Sequence, residues 1–310
     1  MPNFSGIWTS RQQMQALAAG TWPAPPGAPT IGTATKASST SVSVTFTAPS
    51  NLGYPATITG YTVTSSPGGL TGTGSSSPIV VSGLTTGTAY TFTVTATNAT
   101  GTGSASAASN SVTPTLAIGD AYGGGFFAGQ INQSGTVYNL VVAPKSGGET
   151  VAKWKTGNTG DSGCDSFING PANTNAVDDA AHPAAQFCNG LTIGGYTDWY
   201  WPAKNELEVC YYYLKPNATA NSTSSGSNAN AVSPEPISTN YSSGSPAQTS
   251  VAAFQTGGAQ VFIAAGYFSS TQYDIDTSRG WSQDFNAGGQ GTNPDKNTGS
   301  NVRAVRRVAA

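Results

Sequence analysis

Charge is scarce in this 310-residue chain: 12 Lys and Arg stand against 14 Asp and Glu, 8% of the composition together, with a single histidine. A formal net charge of −2 gives no field to hold a nucleic acid or an anionic membrane surface. Long apolar runs are lacking too. Gly, Pro and Ser interrupt each one well short of the roughly 20 residues a spanning helix needs, so no membrane insertion is expected. The opening residues, MPNFSGIWTSRQQ, have neither a basic region nor an apolar core. No secretory signal is expected there, and work outside a cell would follow lysis or incorporation into a particle. Only three cysteines occur, Cys164, Cys188 and Cys210, widely spaced and without a C-x-x-C. That argues against a zinc knuckle and against a dense disulfide framework. Buried free thiols are expected, with one bridge plus one free thiol as the alternative.

Catalytic patterns are missing as well. There is no Gly-x-Ser-x-Gly and no His-x-x-x-His, and His182 sits directly before Pro183 in a helix-breaking context. Glu206 and Glu208 lie two apart in a helical stretch, so they point to different faces and cannot share a substrate. Gly123 to Gly125 precede a strand rather than a helix with Lys-Ser/Thr, which excludes a phosphate loop. The expectation is a non-enzyme with no catalytic residues, no cofactor and no metal.

What is present divides the chain into three parts. Residues 1–25 hold a helix-forming stretch, SRQQMQALAAG, with Ser10 as the expected N-cap and Gly20 as the stop. Met14, Leu17 and Ala18 share one face of it. Phe4, Ile7, Trp8 and Trp22 flank a helix too short to stand alone, and WPAPPGAP follows as a stiff spacer. The expectation is a docking peptide that inserts Phe4, Ile7, Trp8, Met14 and Leu17 into a larger assembly. Folding back on its own chain is the competing reading.

Residues 26–115 turn to period 2. SVSVTF alternates Val42, Val44 and Phe46 with Ser and Thr; GYTVTS does so with Tyr61 and Val63; AYTFTVTATN does so with Tyr90, Phe92, Val94 and Ala96. Turn residues at short intervals point to an all-β sandwich. The opening PGAP, the run TAPSNLGYPATITGYTV and the run GLTTGTAYTFTVTATNATGTGSAS resemble a fibronectin type III domain, an immunoglobulin-like sandwich. Leu84 and Tyr90 fall on its tyrosine-corner positions. Phe46 stands where that family usually has Trp. The resemblance implies a spacer.

Residues 116–310 gather all three cysteines and all but one each of the Lys and Arg. GDAYGGGFFAGQINQSGTVYNLVVAPKSGGE reads as a hairpin, with one strand around Phe126 to Ile131 and another from Val137 to Ala143. NTNAVDDAAHPAAQFCNG suggests a helix broken near Pro183. DWYWPAKNELEVCYYYLKP, Asp198 to Pro216, is the densest stretch. A helix starting at Pro202 would put Leu207, Cys210, Tyr211 and Leu214 on one face, with Trp199 and Trp201 wedging it against a sheet.

The stretches GGYTDWYWPAKNELEVCYYYLKP, AAGYFSSTQYD, GWSQDFNAGGQ and KNTGSNVRAVRRV resemble the Lcl C-terminal domain family, a branch of the formylglycine-generating-enzyme-like C-type-lectin fold. Trp201 replaces the family's usual Leu before Pro202, and Phe268 replaces its Trp before Ser269. The implied architecture is multidomain: the sandwich followed by an α+β C-type-lectin-like domain. The enzyme branch uses cysteines near the domain's C-terminus, and none follows Cys210. The calcium-dependent lectin pattern is absent, since SPEPIS gives Glu235-Pro236-Ile237.

Versions of this domain joined to fibronectin type III repeats resemble virion proteins of tailed bacteriophages, as does FSGIWT...QQMQA. That resemblance implies a fibre or tail protein of the virion, made in the host cytoplasm, whose partners are other virion proteins and a host cell-surface glycan or protein. A homo-oligomer, a trimer on the particle, is expected, and an architectural decoration protein is the alternative. QYDIDTSRGWSQDFNAGGQGTNPD then supplies the expected receptor-binding residues: Tyr273, Asp276, Arg279, Asp284, Asn286 and Gln290, polar groups beside aromatics. Strand alternation would turn Trp281 and Phe285 inward. In so charge-poor a chain, Glu206 is expected to pair with Arg303 or Arg306.

Overall fold

A computed structural model describes residues 9–19, 22–232, 239–291 and 295–310, and the chain divides into two compact units between Leu116 and Ala117. In the first unit, α1 (Ser10–Ala18) begins from a reciprocal cap. Thr9 N–H donates to Gln12 Oε1 (2.9 Å), and Gln12 N–H donates to Thr9 Oγ1 (3.4 Å). Thr9 is therefore the N-cap and Ser10 the first helical residue, because the Thr9 carbonyl accepts the first helical bond, from Gln13 N–H at 3.0 Å, while Gln12 reaches back to Thr9 N–H. Met14 is 70% exposed and Ala16 is buried. Phe4, Ile7 and Trp8, the stop at Gly20 and the side chain of Leu17 lie outside the described residues.

The rest of this unit is two antiparallel sheets. β1 (Thr30–Ser38), β2 (Ser41–Thr47) and β5 (Ile79–Ser82) form one; β4 (Thr71–Gly74), β3 (Gly60–Ser66), β6 (Thr91–Asn98) and β7 (Gly101–Thr102) form the other. Alternate residues face inward, so Val42, Val44, Val63, Phe92, Val94 and Ala96 are fully buried. Phe46 packs on Tyr61 with ring centroids 4.8 Å apart, which fills part of the space a Trp would take. Tyr90 Oη accepts the Thr85 N–H at 3.0 Å across the corner. Tyr90→Phe is expected to destabilise this unit modestly by removing that hydrogen bond, read as a slightly lower urea midpoint at unchanged slope.

The second unit holds two more sheets. β8 (Ala121–Tyr122), β9 (Gly125–Gln133), β10 (Thr136–Val142) and β16 (Val305–Ala309) lie in the order β16-β10-β9-β8. After the short turn α2 (Lys145–Gly148), β11 (Glu149–Lys153) joins β12 (Gly266–Gln272), β13 (Gly280–Asp284), β14 (Gln290–Gly291) and β15 (Gly299–Arg303) in the order β11-β15-β12-β13-β14. The expected hairpin is thus β9–β10. The helix broken at Pro183 is two helices, α3 (Gly170–Ala176) and α4 (Pro183–Asn189).

The main helix is α5 (Lys204–Leu214), with Leu207, Cys210, Tyr211 and Leu214 all buried. It lies close on β9 because Gly129, at φ +128°, has no side chain there. A Cβ would stand 2.7 Å from Val209 Cγ1. The flanking aromatics divide. Trp199 and Trp201 belong with Trp154, Phe268, Cys164 and Cys188 in one core cluster, whereas Tyr200 joins the cluster around α5. The expected wedge is therefore corrected: extended backbone alternates its side chains, so the residue that reaches the helix cluster is the Tyr between the two Trp. Trp201 Nε1 donates to Phe268 O at 2.8 Å and Trp154 Nε1 to Ser269 O at 2.9 Å, which satisfies both indoles. All three cysteines are buried and free.

The carboxylate expected to meet Arg303 or Arg306 meets Arg307 instead, at 2.6 Å from Arg307 Nε to Glu206 Oε1. Arg303 ends β15 and lies 3.6 Å from Glu149; Arg306 holds Asp198 through two bonds of 2.8 and 2.9 Å. Adjacent residues of β16 point to opposite faces, so Arg306 and Arg307 cannot serve the same partner. Arg307→Met is expected to cost about 3–5 kcal/mol by stranding buried Glu206, and adding Glu206→Gln should recover part of it in thermal unfolding.

Candidate functional site

Most ionisable groups inside the second unit are tied to one another. Lys296, fully buried, donates to Asp161 Oδ2 (2.9 Å) and lies 3.9 Å over the Trp154 ring; Lys155 reaches the other oxygen of Asp161 at 2.6 Å, and His182 stands between Asp161 and Asp179. Desolvation opposes the shift, but the two lysines hold the Asp161 carboxyl below its ordinary range. Burial pushes the Cys164 thiol up to about 11 and raises those of Cys188 and Cys210 as well, so none is a thiolate nucleophile near neutral pH. Among the described residues no cluster of three or more His, Cys, Asp or Glu could hold a metal ion. No helix among them is long and apolar enough to cross a membrane. Glu235, Pro236 and Ile237 lie outside the described residues.

Glu206 and Glu208 do diverge. Glu206 faces Tyr200 and Arg307, whereas Glu208, fully buried, accepts from Tyr241 Oη (2.6 Å) and Asn228 Nδ2 (2.8 Å). Burial pushes the Glu208 carboxyl up to about 7; those two bonds and the Lys204 charge resist the shift.

A different setting exists where α5 begins. A pocket of about 250 Å³ is lined by Lys204, the Ser224–Ser227 turn, Asn240, Trp281 and Gln290. Trp281 is half-buried on β13. Its ring meets Tyr273 edge-on at 5.2 Å and Phe167 at 6.0 Å, and Lys204 Nζ lies 4.7 Å from its centroid. The same ammonium is 5.1 Å from the Phe167 ring, and burial pushes its pKa down. Ser225 Oγ accepts the Gln290 N–H at 2.9 Å, which fixes the turn against β14.

On β13, Trp281 and Gln283 fall on one face, which Phe285 continues just past the strand, and Gln283 is paired in register with Gln290 on β14. Phe285 goes into the core against Phe262 and Tyr211. Gln283 is 1% exposed, yet among the described residues neither its amide nitrogen nor its amide oxygen has a partner. Trp281 Nε1 and Gln290 Nε2 are also buried and unpaired. Trp281 and Gln290 line the pocket while Gln283 does not, and all four atoms depart from the rule that buried polar groups are paired.

The structure distributes the six expected receptor-binding residues over three places. Gln290 lines this pocket, and Tyr273 touches it only through the Trp281 ring. Asp276 and Arg279 share a separate turn: Asp276 Oδ1 accepts the Ser278 N–H (3.1 Å), and Arg279 Nε lies 3.1 Å from Asp276 and 3.6 Å from Asp295. Asp284 accepts the N–H groups of Asn286 and Ala287 and so closes the turn into β14, while Asn286 Oδ1 accepts from Asn217 Nδ2 at 3.1 Å. Sequence reading passed over Lys204, Ser225 and Asn240. Only the Ser- and Asn-rich run at 221–230 offered a signal, and its distance from Trp281 along the chain hid the connection.

Glu208 gives the site a pH signature. Its raised carboxyl favours the folded state at acid pH, and that contribution is lost as pH climbs through about 7. Glu208→Gln is therefore expected to gain on the wild type between pH 5 and pH 8, by up to about 2–3 kcal/mol in chemical denaturation run at both pH values.

Comparison with known proteins bears on both units. Residues 27–112 match the profile of the fibronectin type III domain, and residues 148–306, about half the chain, match that of the Lcl C-terminal domain. No curated protein sequence matches. Among solved structures, domains A168–A170 of titin are similar at 26% identity, covering 30% of this chain and 32% of that one, with a TM-score of 0.25. The extracellular domains d3–d4 of rat CD45 are 25% identical over 29% of this chain and 51% of theirs, with a TM-score of 0.26. The twitchin kinase region from C. elegans is 18% identical over 30% of this chain and 17% of its own, with a TM-score of 0.27. The chain thus spans from about a sixth to about half the length of these structures.

Proposed function

The chain belongs to the Lcl C-terminal domain family and carries a fibronectin type III domain ahead of it, and from that premise we propose that it is a binding protein rather than an enzyme, its C-terminal unit a C-type-lectin-like head. In this reading the chain is part of a bacteriophage fibre or tail, the sandwich is a spacer, and residues 1–25 dock it to other virion proteins, with trimers formed on the particle. The head meets a host surface glycan or protein.

The observation that carries the reading is the pocket between Lys204, Trp281 and Gln290, where unpaired polar groups gather beside aromatic rings in a unit that otherwise pairs its buried charges. Rings flanked by hydrogen-bonding side chains are suited to hold a polar ligand with an apolar face. The six-membered set Tyr273, Asp276, Arg279, Asp284, Asn286 and Gln290 remains the outer rim of that contact surface. Its spread over three turns fits a broad contact better than a single deep subsite.

Full-length protein labelled with a fluorophore should bind intact host cells saturably. Trp281→Ala with Lys204→Ala should lower that binding at least about tenfold with the fold retained by circular dichroism. Undiminished infection by particles lacking the chain, together with no cell binding, would favour an architectural decoration protein.

A further inference from the structure

The serine-bearing wall of the pocket is held from within the fold. Of its lining residues, Ser227 directly precedes Asn228 and Asn240 directly precedes Tyr241, and Asn228 and Tyr241 both turn to one carboxylate. Glu208 Oε2 accepts from Asn228 Nδ2 at 2.8 Å, and Glu208 Oε1 accepts from Tyr241 Oη at 2.6 Å. Asn228 Nδ2 also donates to the Asn205 carbonyl of the same helix at 2.8 Å. The two stretches are joined to each other as well. Tyr241 N–H donates to Ser225 O at 2.8 Å, and Gly226 lies so close on the Tyr241 ring that a Cβ there would stand 2.2 Å from it. The helix α5 thus meets the pocket twice, with Lys204 as a lining residue and, one turn on, with Glu208 as an anchor that does not itself line it.

The anchor titrates. Burial brings its carboxyl up to about 7, against the pull of its two bonds and of Lys204. The ionisable groups that act on it are Lys204, Cys210 and Tyr211 on α5 and Tyr241 on the wall; the thiol and both phenols are themselves raised, which leaves Lys204 as the charge among these four. β9 and β12, packed on the same helix, have no Asp, Glu, Lys, Arg or His, and Asp284 of β13 is taken by the N–H groups of Asn286 and Ala287. Opening the wall to water returns the carboxyl to its ordinary range, so between that range and about pH 7 opening releases a proton. It therefore becomes easier as pH climbs through this window and levels off above it.

We propose that Glu208 is a positioning residue for this pocket: through Asn228 and Tyr241 it sets the Ser224–Ser227 turn and Asn240 in place, and losing its proton loosens that wall. The role rests on the reading of the pocket as the contact site of the head. Glu206, two residues earlier, is tied to an arginine and closes a seam of the unit, whereas both side chains that donate to Glu208 belong to the two stretches that line the pocket.

The test is hydrogen–deuterium exchange of the full-length protein at pH 5.5 and pH 8, corrected for the intrinsic dependence on pH, in peptides over 222–230 and 240–243 and over the β9–β10 hairpin. The wall is expected to open more readily than the hairpin and to lose roughly tenfold of its protection at the higher pH. Glu208→Gln can accept from Asn228 and donate to Tyr241 Oη, so its wall should be protected equally at both pH values; Tyr241→Phe should lower protection about fivefold. Labelled full-length Glu208→Leu should bind host cells at least about tenfold more weakly than wild type, and Glu208→Gln should restore binding. Wall exchange that ignores pH in wild type, keeps its pH dependence in Glu208→Gln, or occurs only together with the hairpin overturns the proposal. Should Glu208→Leu fail to fold, exchange in wild type, Glu208→Gln and Tyr241→Phe decides alone. Cell binding undiminished in folded Glu208→Leu overturns the proposal and leaves the binding-head reading standing. No cell binding by wild type, with wall exchange as expected, overturns the binding-head reading and supports the anchor.

Discussion

One carboxylate holds the second unit together. Glu206, fully buried at the first turn of α5, takes the Arg307 guanidinium from β16 and the Tyr200 hydroxyl, and its other oxygen accepts the N–H groups of Ala203 (2.8 Å) and Gly170 (3.1 Å). It therefore supplies the cap that Ala203 cannot, starts α3, and fastens both helices to the last strand. A buried carboxylate is costly unless it is paired and hydrogen-bonded, and this one is saturated. Few charged residues elsewhere in the chain could replace it. Arg303 with Glu149, Arg306 with Asp198 and Lys296 with Asp161 repeat the device at three other seams.

Against that background the pocket at Trp281 stands apart. A unit that pairs a fully buried lysine and arginine also leaves the Gln283 amide unpaired on a strand whose next inward residue, Phe285, is packed among aromatic rings. The contrast is between groups that close the fold and groups that the fold holds ready.

The alternating strands of the sandwich were legible because period 2 and turn spacing are local properties, and its tyrosine corner was implied by the resemblance to a fibronectin type III domain. The hairpin at β9–β10, the break at Pro183 and the buried face of α5 were legible for the same reason. Pairings across the chain were not. Ala304 interrupts the run from Arg303 to Arg307, so a strand ends and another begins within what reads as one motif, and the alternation that selects Arg307 restarts at Val305. Trp281 shares the inward face, yet remains half-exposed because Phe167 and Lys204 cover it only in part. Gln283, polar in the sequence and buried in the fold, could not be told from a solvated strand residue. The pocket itself joins α5, the turn at 224–227 and β13–β14, and no spacing in the sequence links those three.

The placement of β15 and β16 has a consequence for synthesis on the ribosome. They are neighbours in the chain, yet β15 lies beside β11 and β12 in one sheet and β16 beside β10 in the other. Strands made some 150 residues earlier must wait for residues 299–309 to leave the exit tunnel before either sheet is complete, and the three arginines that neutralise Glu149, Asp198 and Glu206 arrive with them. Until then the nascent unit carries uncompensated carboxylates and open strand edges, and closing such long loops is slow. The sandwich, with its strands complete by residue 102, is free to fold while the rest is still being made.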